Sequence, residues 1–179
     1  MSAFTVLVMA RSPVPGQAKT RLGAVIGHHR AADLAAAALT DTVAACRAAG
    51  VRTVIALAGN LADCPQAEAL TRVTADCEIV AQEGIDFSHR LVQAHRVAGP
   101  GVVVQIGMDT PQVTAADLRA VAAGLSGHDA VLAPATDGGW WALARRGPAV
   151  VQPLAEVVMS TPGTRFARLW RDVHVAEAS

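Results

Sequence analysis

The sequence is poor in cysteine, and what little it has excludes two classes of site. Cys46, Cys64 and Cys77 are odd in number and show no CxxC spacing, so neither a disulfide framework nor a zinc site is expected. No apolar run approaches the roughly 18 residues of a membrane-spanning helix, and the N-terminal residues lack the basic region of a signal peptide. We therefore expect a cytoplasmic protein without a membrane span.

Charge is also scarce and evenly balanced. Charged residues make up 17% of the chain, with 15 Lys and Arg against 15 Asp and Glu. This balance argues against nucleic acid or an acidic membrane surface as a partner, so any anion site must be local. Apolar residues reach 52%, which excludes disorder, and 179 residues suit one domain, predicted here over residues 1–179.

Strand-like apolar runs alternate with helical patterns along the chain. This order predicts a single-domain α/β fold with a mainly parallel, twisted sheet and helices on both faces. The predicted strands are Phe4–Val8, Val51–Ala58, Arg72–Val80, Val102–Gly107 and Asp129–Ala133. The first predicted helix runs from about Arg30 to Ala49, with Leu34 near its buried face, and a short helix ends at Leu70. Two further helices run from an N-cap at Asp86 to Val97 and from Thr114 to Leu125. Thr164–Trp170 is predicted as a short helix, and Pro148–Val158 as a helix or an irregular connection.

A cationic loop, residues 11–22, follows the first predicted strand. It places Arg11, Lys19 and Arg21 around a turn at Gly16. In an α/β protein, a loop between a first strand and a helix N-terminus can hold an anion, and phosphate is the obvious candidate. The loop has neither the glycine before lysine of a Walker A motif nor the glycine triplet of a dinucleotide-binding turn. The alternative interpretation is a solvated surface turn.

Two acidic positions follow later strands at the edge of the sheet where ligands bind in open parallel sheets. Asp109 follows the fourth predicted strand, where a carboxylate could hold Mg²⁺ or Mn²⁺ together with phosphate oxygens. It could equally cap a turn before Pro111. Asp137 precedes Gly138 and Gly139, which either allow the backbone to approach a ligand or form a hairpin turn.

The remaining polar and aromatic candidates are less specific. Asp86 and Arg90 lie one helical turn apart, which predicts a surface pair worth about 0.2–0.5 kcal/mol. Trp140 and Trp141 are expected beside the cleft, where an aromatic wall for a sugar or base is possible and a core position is the alternative for one of them. The histidines show no HxxxH or HExxH spacing, and the serines lack a GxSxG elbow, so an acyl-transfer hydrolase has no support.

Four segments in this order resemble a bacterial GT-A-fold family related to nucleotide-diphospho-sugar transferases, whose members are provisionally assigned as glycosyltransferases. The segments are residues 11–22, 82–91, 106–111 and 134–141. The loop Ala18–Leu22 is also similar to that of 2-phospho-lactate guanylyltransferases. Arg11 stands where the family usually has lysine, which keeps the charge and changes its geometry.

The resemblance implies a GT-A fold and assigns roles to residues. Lys19 and Arg21 would neutralise nucleotide phosphates, Asp109 would be the metal ligand, and Asp137 with its two glycines would shape the acceptor side. The implied catalytic set is Lys19, Arg21, Asp109 and Asp137, and the implied nucleotide-binding set is Arg11, Gly16, Lys19, Thr20, Arg21, Asp86, Arg90, Gly138 and Gly139. Family members carry a further acidic segment after the last strand, where this chain has only Asp172.

The implied function is a metal-dependent transferase using Mg²⁺ or Mn²⁺. The leading hypothesis is a glycosyltransferase that uses a nucleotide sugar and an unknown small-molecule acceptor. A nucleotidyltransferase that releases pyrophosphate is the alternative enzyme. A nucleotide-binding module that has lost catalysis is the alternative of another class, because the second acid of the metal site is missing.

Overall fold

The computed structural model describes residues 3–136, 139–156 and the backbone of residues 175–177. Its strands are β1 Thr5–Arg11, β2 Arg52–Ala58, β3 Glu78–Ala81, β4 Val103–Gly107, β5 Ala130–Pro134, β6 Trp140–Arg145 and β7 Val175–Glu177. Its α-helices are α1 Thr20–Ile26, α2 His28–Ala49, α3 Ala67–Val73, α4 Phe87–Val97 and α5 Ala115–Ala123, and Leu61–Asp63 and Pro148–Glu156 are 3₁₀ helices.

The described strands form one mixed sheet in the order β3-β2-β1-β4-β6-β5-β7. Neighbouring strands are parallel except at β6, which runs antiparallel to both β4 and β5. The chain moves from β1 outward to β3 and then returns to the other side of β1 with β4, so the strand order reverses between β1 and β4. The predicted α/β fold with a mainly parallel sheet is confirmed, and the reversal marks where ligands bind in such sheets.

Apolar side chains alternate between the two faces of the sheet, and each face is covered. On one face, strand residues such as Val8, Ile55 and Ile106 form a core with Leu39 of α2 and Leu118 of α5. On the other face, the core combines strand residues with α4 and the second 3₁₀ helix, and includes Leu7, Val54, Leu91, Val151 and Leu154. The predicted helices on both faces are therefore present, because both sides of a buried parallel strand need apolar cover.

Local hydrogen bonds define the helix ends that the sequence predicts. Asp117 donates its backbone N–H to Thr114 Oγ1 at 3.2 Å, and the Thr114 N–H donates to the Asp117 carboxylate at 2.9 Å, which is a complete capping box. Helix α4 has Asp86 as its N-cap. Helix α2 ends at Gly50, whose φ of 66° is the left-handed conformation that glycine adopts readily.

Two predictions of local structure are wrong, and one short helix was not predicted. Residues 72–80 are not one strand, because α3 continues to Val73 and β3 begins only at Glu78. A separate helix, α1, precedes α2, and Gly27 with φ of 91° breaks them apart. Leu34, predicted near the buried face of α2, is 54% exposed. The buried face consists largely of alanines, so the sequence pattern does not show clearly which side of the helix is buried. The predicted helix Thr164–Trp170 lies outside the described residues.

A buried guanidinium ties the C-terminal end of α4 to the sheet. Arg145 is fully buried on β6 and donates to the backbone carbonyls of Gly101 at 2.8 Å, Gly99 at 2.9 Å and His95. Its Nε also donates to His95 Nδ1 at 3.3 Å. Burial lowers the pKa of Arg145 to about 10, while burial and then the neighbouring positive charge lower the pKa of His95 to about 3. These bonds satisfy the His95 carbonyl, which lies in the last turn of α4 where a helix leaves carbonyls unpaired, and two carbonyls of the loop that follows.

None of the helices in the described part of the chain is both long and apolar enough to cross a membrane.

Candidate active site

The candidate site lies where the loops after β1 and β4 leave the sheet side by side. Met108, the first residue after β4, donates its N–H to Met9 O at 3.1 Å, and the Arg11 N–H approaches its sulfur at 3.2 Å. Thr42 of α2 donates its hydroxyl to the Met108 carbonyl at 3.2 Å. The start of the β4 loop is thus attached directly to the end of β1.

The cationic loop closes on itself and is anchored to the sheet. Ser12 is buried and donates its N–H to Ala58 O at 2.9 Å, at the end of the neighbouring strand β2. Ala18 is also buried and donates its N–H to Val14 O at 3.1 Å. Gly16 has a φ of 79° in the exposed turn between them. Because both ends of this turn are anchored, the fold holds the backbone of Lys19 in place.

Lys19 is the N-cap of α1 and has an unusual backbone. Its φ of 47° and ψ of 43° are left-handed, and no other described residue apart from glycine has a positive φ. A left-handed conformation costs a residue with a Cβ about 1–2 kcal/mol. Such outliers concentrate at functional sites, where the surrounding structure maintains them.

The amine of Lys19 contacts the carboxylate of Asp109, and the two form an ion pair. The two residues stand 90 positions apart in the chain and meet across the reversal of strand order. Their side chains are 36% and 49% exposed, respectively, so solvent reaches both charged groups. The sequence placed these residues at one edge of the sheet, and the structure brings them into contact.

The backbone after β4 directs Asp109 toward this meeting point. The Thr110 hydroxyl donates to Gly107 O at 3.1 Å, which folds the chain back at the strand end. Oδ1 of Asp109 then lies over Gly107, where an added Cβ would come within 2.8 Å of it. The sequence predicts Asp109 as a metal ligand or a turn cap, but its pattern does not indicate that the carboxylate needs a glycine two residues earlier.

Three further members of the predicted binding set lie on the exposed surface of the same loop. They are Arg11, Thr20 and Arg21. Neither Arg11 nor Arg21 forms an ion pair with an acid among the described residues. Their positive charges are therefore available to an anionic ligand.

Asp86 and Arg90 lie together at the start of α4, with different partners from those predicted. The Asp86 carboxylate accepts the N–H of His89 at 2.9 Å and pairs with His89 Nδ1 at 2.8 Å. Arg90 Nε instead donates to the Asp86 backbone carbonyl at 3.1 Å. The hydrogen bonds from the His89 backbone and side chain lower the pKa of Asp86. The predicted Asp86–Arg90 pair is replaced by a cap that includes His89.

Gln82 was not singled out from the sequence, although it links the segment before α4 to the sheet. Its side-chain amide donates to Ala10 O and to Ala56 O, both at 2.8 Å. Ala10 precedes Arg11, so this contact positions the polar segment 82–86 near the end of β1. Its position directly after the edge strand β3 was the available signal.

The two tryptophans at the start of β6 pack on opposite faces of the sheet. Trp140 packs against the core on the α4 side and donates its Nε1–H to Gln105 Oε1 at 3.1 Å, while Trp141 packs against the other core. Just before them, Ala135 donates its N–H to Gly139 O at 2.9 Å, between the antiparallel strands β5 and β6. Asp137 and Gly138 lie outside the described residues, so their acceptor-side role stays a prediction.

Among the described residues of this site, Asp109 is the acid whose carboxylate could bind a metal ion. Within residues 3–136 and 139–156, no group of three or more His, Cys, Asp or Glu side chains is placed to hold a metal. Asp137 and Asp172, the other acids considered from the sequence, are outside the described part. Any metal held by the described residues would thus take one carboxylate here and its remaining ligands from elsewhere.

Comparison with solved structures returns proteins of one fold. A protein of Desulfovibrio desulfuricans G20, provisionally described as a nucleotide-diphospho-sugar transferase, is 25% identical with a TM-score of 0.78, and the match covers 99% of this chain and 80% of that one. A nucleotidyl transferase from Methanothermobacter is 18% identical with a TM-score of 0.66, covering 100% of this chain and 88% of that one. A Mycobacterium tuberculosis H37Rv protein in complex with manganese is 19% identical with a TM-score of 0.57, covering 98% and 87%.

Sequence comparison identifies the family. No curated protein matches the chain. A family profile described as an uncharacterized protein conserved in bacteria (DUF2064) matches residues 40–161, a range that includes Asp109 and begins after the cationic loop. The chain therefore belongs to the DUF2064 family, with the α/β fold of nucleotide-diphospho-sugar transferases and nucleotidyltransferases.

Proposed function

We propose that this protein is a transferase that binds a nucleotide sugar through its diphosphate and transfers the sugar to a small-molecule acceptor. The observation that carries the proposal is the contact between Lys19 and Asp109 at the reversal of strand order. At that position the Lys19 amine can bind a diphosphate, and the Asp109 carboxylate can bind the metal ion that accompanies it. The likeness to the Desulfovibrio protein supports sugar transfer in particular.

The catalytic contribution of the chain is electrostatic. When the bond between sugar and diphosphate breaks, negative charge develops on the diphosphate leaving group. The Lys19 amine and the guanidinium groups of Arg21 and Arg11 lie on one exposed loop and can offset that charge without moving the backbone. Lysine acts as a compact charge, whereas arginine can contact two phosphate oxygens at once.

A divalent metal ion fits the carboxylate of Asp109. Mg²⁺ commonly binds through one or two carboxylates and completes its shell with substrate phosphate oxygens and water. Asp109 is partly exposed beside the cationic loop, so it can supply that carboxylate while the ligand supplies the rest. When bound, Mg²⁺ or Mn²⁺ would provide further positive charge for the leaving group. On the acceptor side, we propose roles for Asp137 and the two glycines that follow it.

Release of nucleoside diphosphate tests the proposal. The purified protein is incubated with Mn²⁺ and a panel of nucleotide sugars, and the diphosphate released is measured over time. Slow release without an acceptor is expected, since water can replace the acceptor hydroxyl. Thermal-shift measurements with the same ligands report binding independently, because ligand at about 100 times its Kd adds roughly 2.7 kcal/mol of stability. If no nucleotide or nucleotide sugar binds with or without metal, the proposal is wrong.

Nucleotidyl transfer is the second candidate, and the match to the Methanothermobacter nucleotidyl transferase favours it. The same cations would then stabilise pyrophosphate as the leaving group. Incubation with each nucleoside triphosphate and a set of phosphorylated acceptors, followed by measurement of pyrophosphate, separates the two reactions. Nucleotide binding without turnover in either assay would instead identify a binding module that has lost catalysis.

A further inference from the structure

We infer that Lys19 and Asp109 mask each other in the ligand-free protein, so that a metal ion and a diphosphate arriving together separate them more readily than either ligand does alone. The inference rests on the proposed function, because it assigns the same site to a diphosphate. It adds a property that the proposed function does not require: either residue alone should bind its ligand better once its partner is removed. This property can be measured without knowing the acceptor or the sugar.

The contacts of the two side chains show what each must give up. Lys19 Nζ is hydrogen-bonded to Asp109 Oδ2, and neither residue has another ion-pair partner in the described part of the chain. Both side chains are more than a third exposed, so water screens the pair and keeps it weak. A ligand that offers both groups a better partner can therefore separate them.

The charges determine which ligand does so. A free phosphate that displaces the carboxylate from Lys19 leaves two negative groups side by side at Asp109. A free metal ion that displaces the amine leaves Lys19 beside a dication. When both arrive, the carboxylate contacts the metal and the amine contacts a phosphate oxygen, so every neighbouring pair has opposite charge.

The backbone of both residues is held by hydrogen bonds, so Lys19 and Asp109 separate by rotation of their side chains. The Lys19 carbonyl accepts the Gly23 N–H at 2.8 Å, which fixes the backbone of Lys19 as the N-cap of α1. The Thr110 carbonyl accepts the Val113 N–H at 3.0 Å, and Met108 before Asp109 is bonded to Met9. Both side chains can rotate in solvent without loss of these bonds, so exchange of partners needs no movement of a loop.

Titration calorimetry with single ligands tests the inference. The probes are inorganic pyrophosphate in the presence of a chelator, and MnCl₂ in the absence of phosphate. Asp109→Asn should bind metal-free pyrophosphate at least about fivefold more tightly than the unmodified protein, because the competing carboxylate is gone. Lys19→Met should bind Mn²⁺ alone more tightly by a similar factor, because the competing amine is gone.

A second ion pair in the same sheet provides matched controls. Arg52 and Glu78 are paired at 2.5 Å, with side chains 47% and 48% exposed, and they begin β2 and β3 at the opposite edge of the sheet. Glu78→Gln and Arg52→Met make the same changes in net charge as the test variants. Both controls should leave the affinities for pyrophosphate and Mn²⁺ unchanged within twofold, which separates a local effect from a change in overall charge.

The outcomes distinguish this inference from the proposed function. Unchanged or weaker binding of metal-free pyrophosphate by Asp109→Asn overturns the masking, and so does unchanged or weaker binding of Mn²⁺ by Lys19→Met. If the unmodified protein still binds pyrophosphate with Mn²⁺ in that case, the proposed function stands without the masking. If the unmodified protein and both variants bind neither probe, separately or together, both proposals fail.

Discussion

A Cβ atom added to Gly107 would lie 2.8 Å from Oδ1 of Asp109, so the absence of a side chain at residue 107 makes room for the carboxylate beside the end of β4. Gly107→Ala should therefore move the carboxylate away from Lys19. The expected loss of stability is small, because the clash involves the mobile end of a side chain. Nucleotide affinity measured with Mn²⁺ should fall at least about fivefold.

Gly147→Ala is the control for this change, since an added Cβ at Gly147 meets nothing within 4 Å. It should alter neither the Tm nor the nucleotide affinity. Full affinity in Gly107→Ala would show that the position of Asp109 is not important for binding.

The left-handed backbone of Lys19 predicts an unusual order of stability among variants. Lys19→Gly and Lys19→Ala both remove the amine, so they differ mainly in the cost of keeping φ near 47°. Glycine adopts that conformation without a Cβ clash, so Lys19→Gly should be more stable than Lys19→Ala by about 1 kcal/mol. Urea unfolding of the two variants measures the difference. An alanine variant of equal or greater stability would mean that the left-handed conformation is not retained.

Loss of a cation from the loop should affect turnover far more than stability. Lys19→Ala and Arg21→Ala should each lower the rate of diphosphate release by about 100-fold or more, which is typical for removal of a group that stabilises developing charge. Both side chains are exposed, so the Tm should change little. Arg72→Ala, an exposed cation on α3, is the control and should keep full activity. Normal turnover in Lys19→Ala would remove that residue from the catalytic set.

The buried His95 predicts a loss of stability in mild acid. Burial and then the Arg145 charge lower its pKa in the folded protein from 6.5 to about 3. Between these values the unfolded chain binds a proton that the folded protein does not, so the free energy of unfolding falls as pH decreases below 6.5. The slope for one proton is about 1.4 kcal/mol per pH unit. Urea unfolding at several pH values between 4.5 and 8 measures it.

His95→Gln is the control for the pH dependence, because glutamine can still accept from Arg145 and does not titrate. This variant should lose most of the slope above pH 5. The carboxylates of Asp86 and Asp117 also have lowered pKa values, and their stabilisation is lost only near and below their ordinary value of 3.8. An unchanged slope in His95→Gln would assign the acid sensitivity to another group.

Helix ends set by residues close in sequence could be predicted correctly, whereas the partner of the Asp86 carboxylate could not. The capping box of Thr114 and Asp117, the Asp86 cap and the terminal Gly50 all depend on residues within one helical turn, and each is present. Strand β3 was misplaced because it is a short edge strand with polar residues, where burial does not impose a clear apolar pattern. The buried face of α2 was misplaced at Leu34 for a related reason, since alanine fits either face.

By itself, the sequence determined that the cationic loop and Asp109 follow buried strands and that those strands are mostly parallel, because side-chain periodicity and turn chemistry act over a few residues. The tertiary structure decided that β4 lies next to β1 and that Lys19 meets Asp109. These choices depend on how strands pair and helices pack across 90 residues of chain, and local pattern carries little information about such contacts.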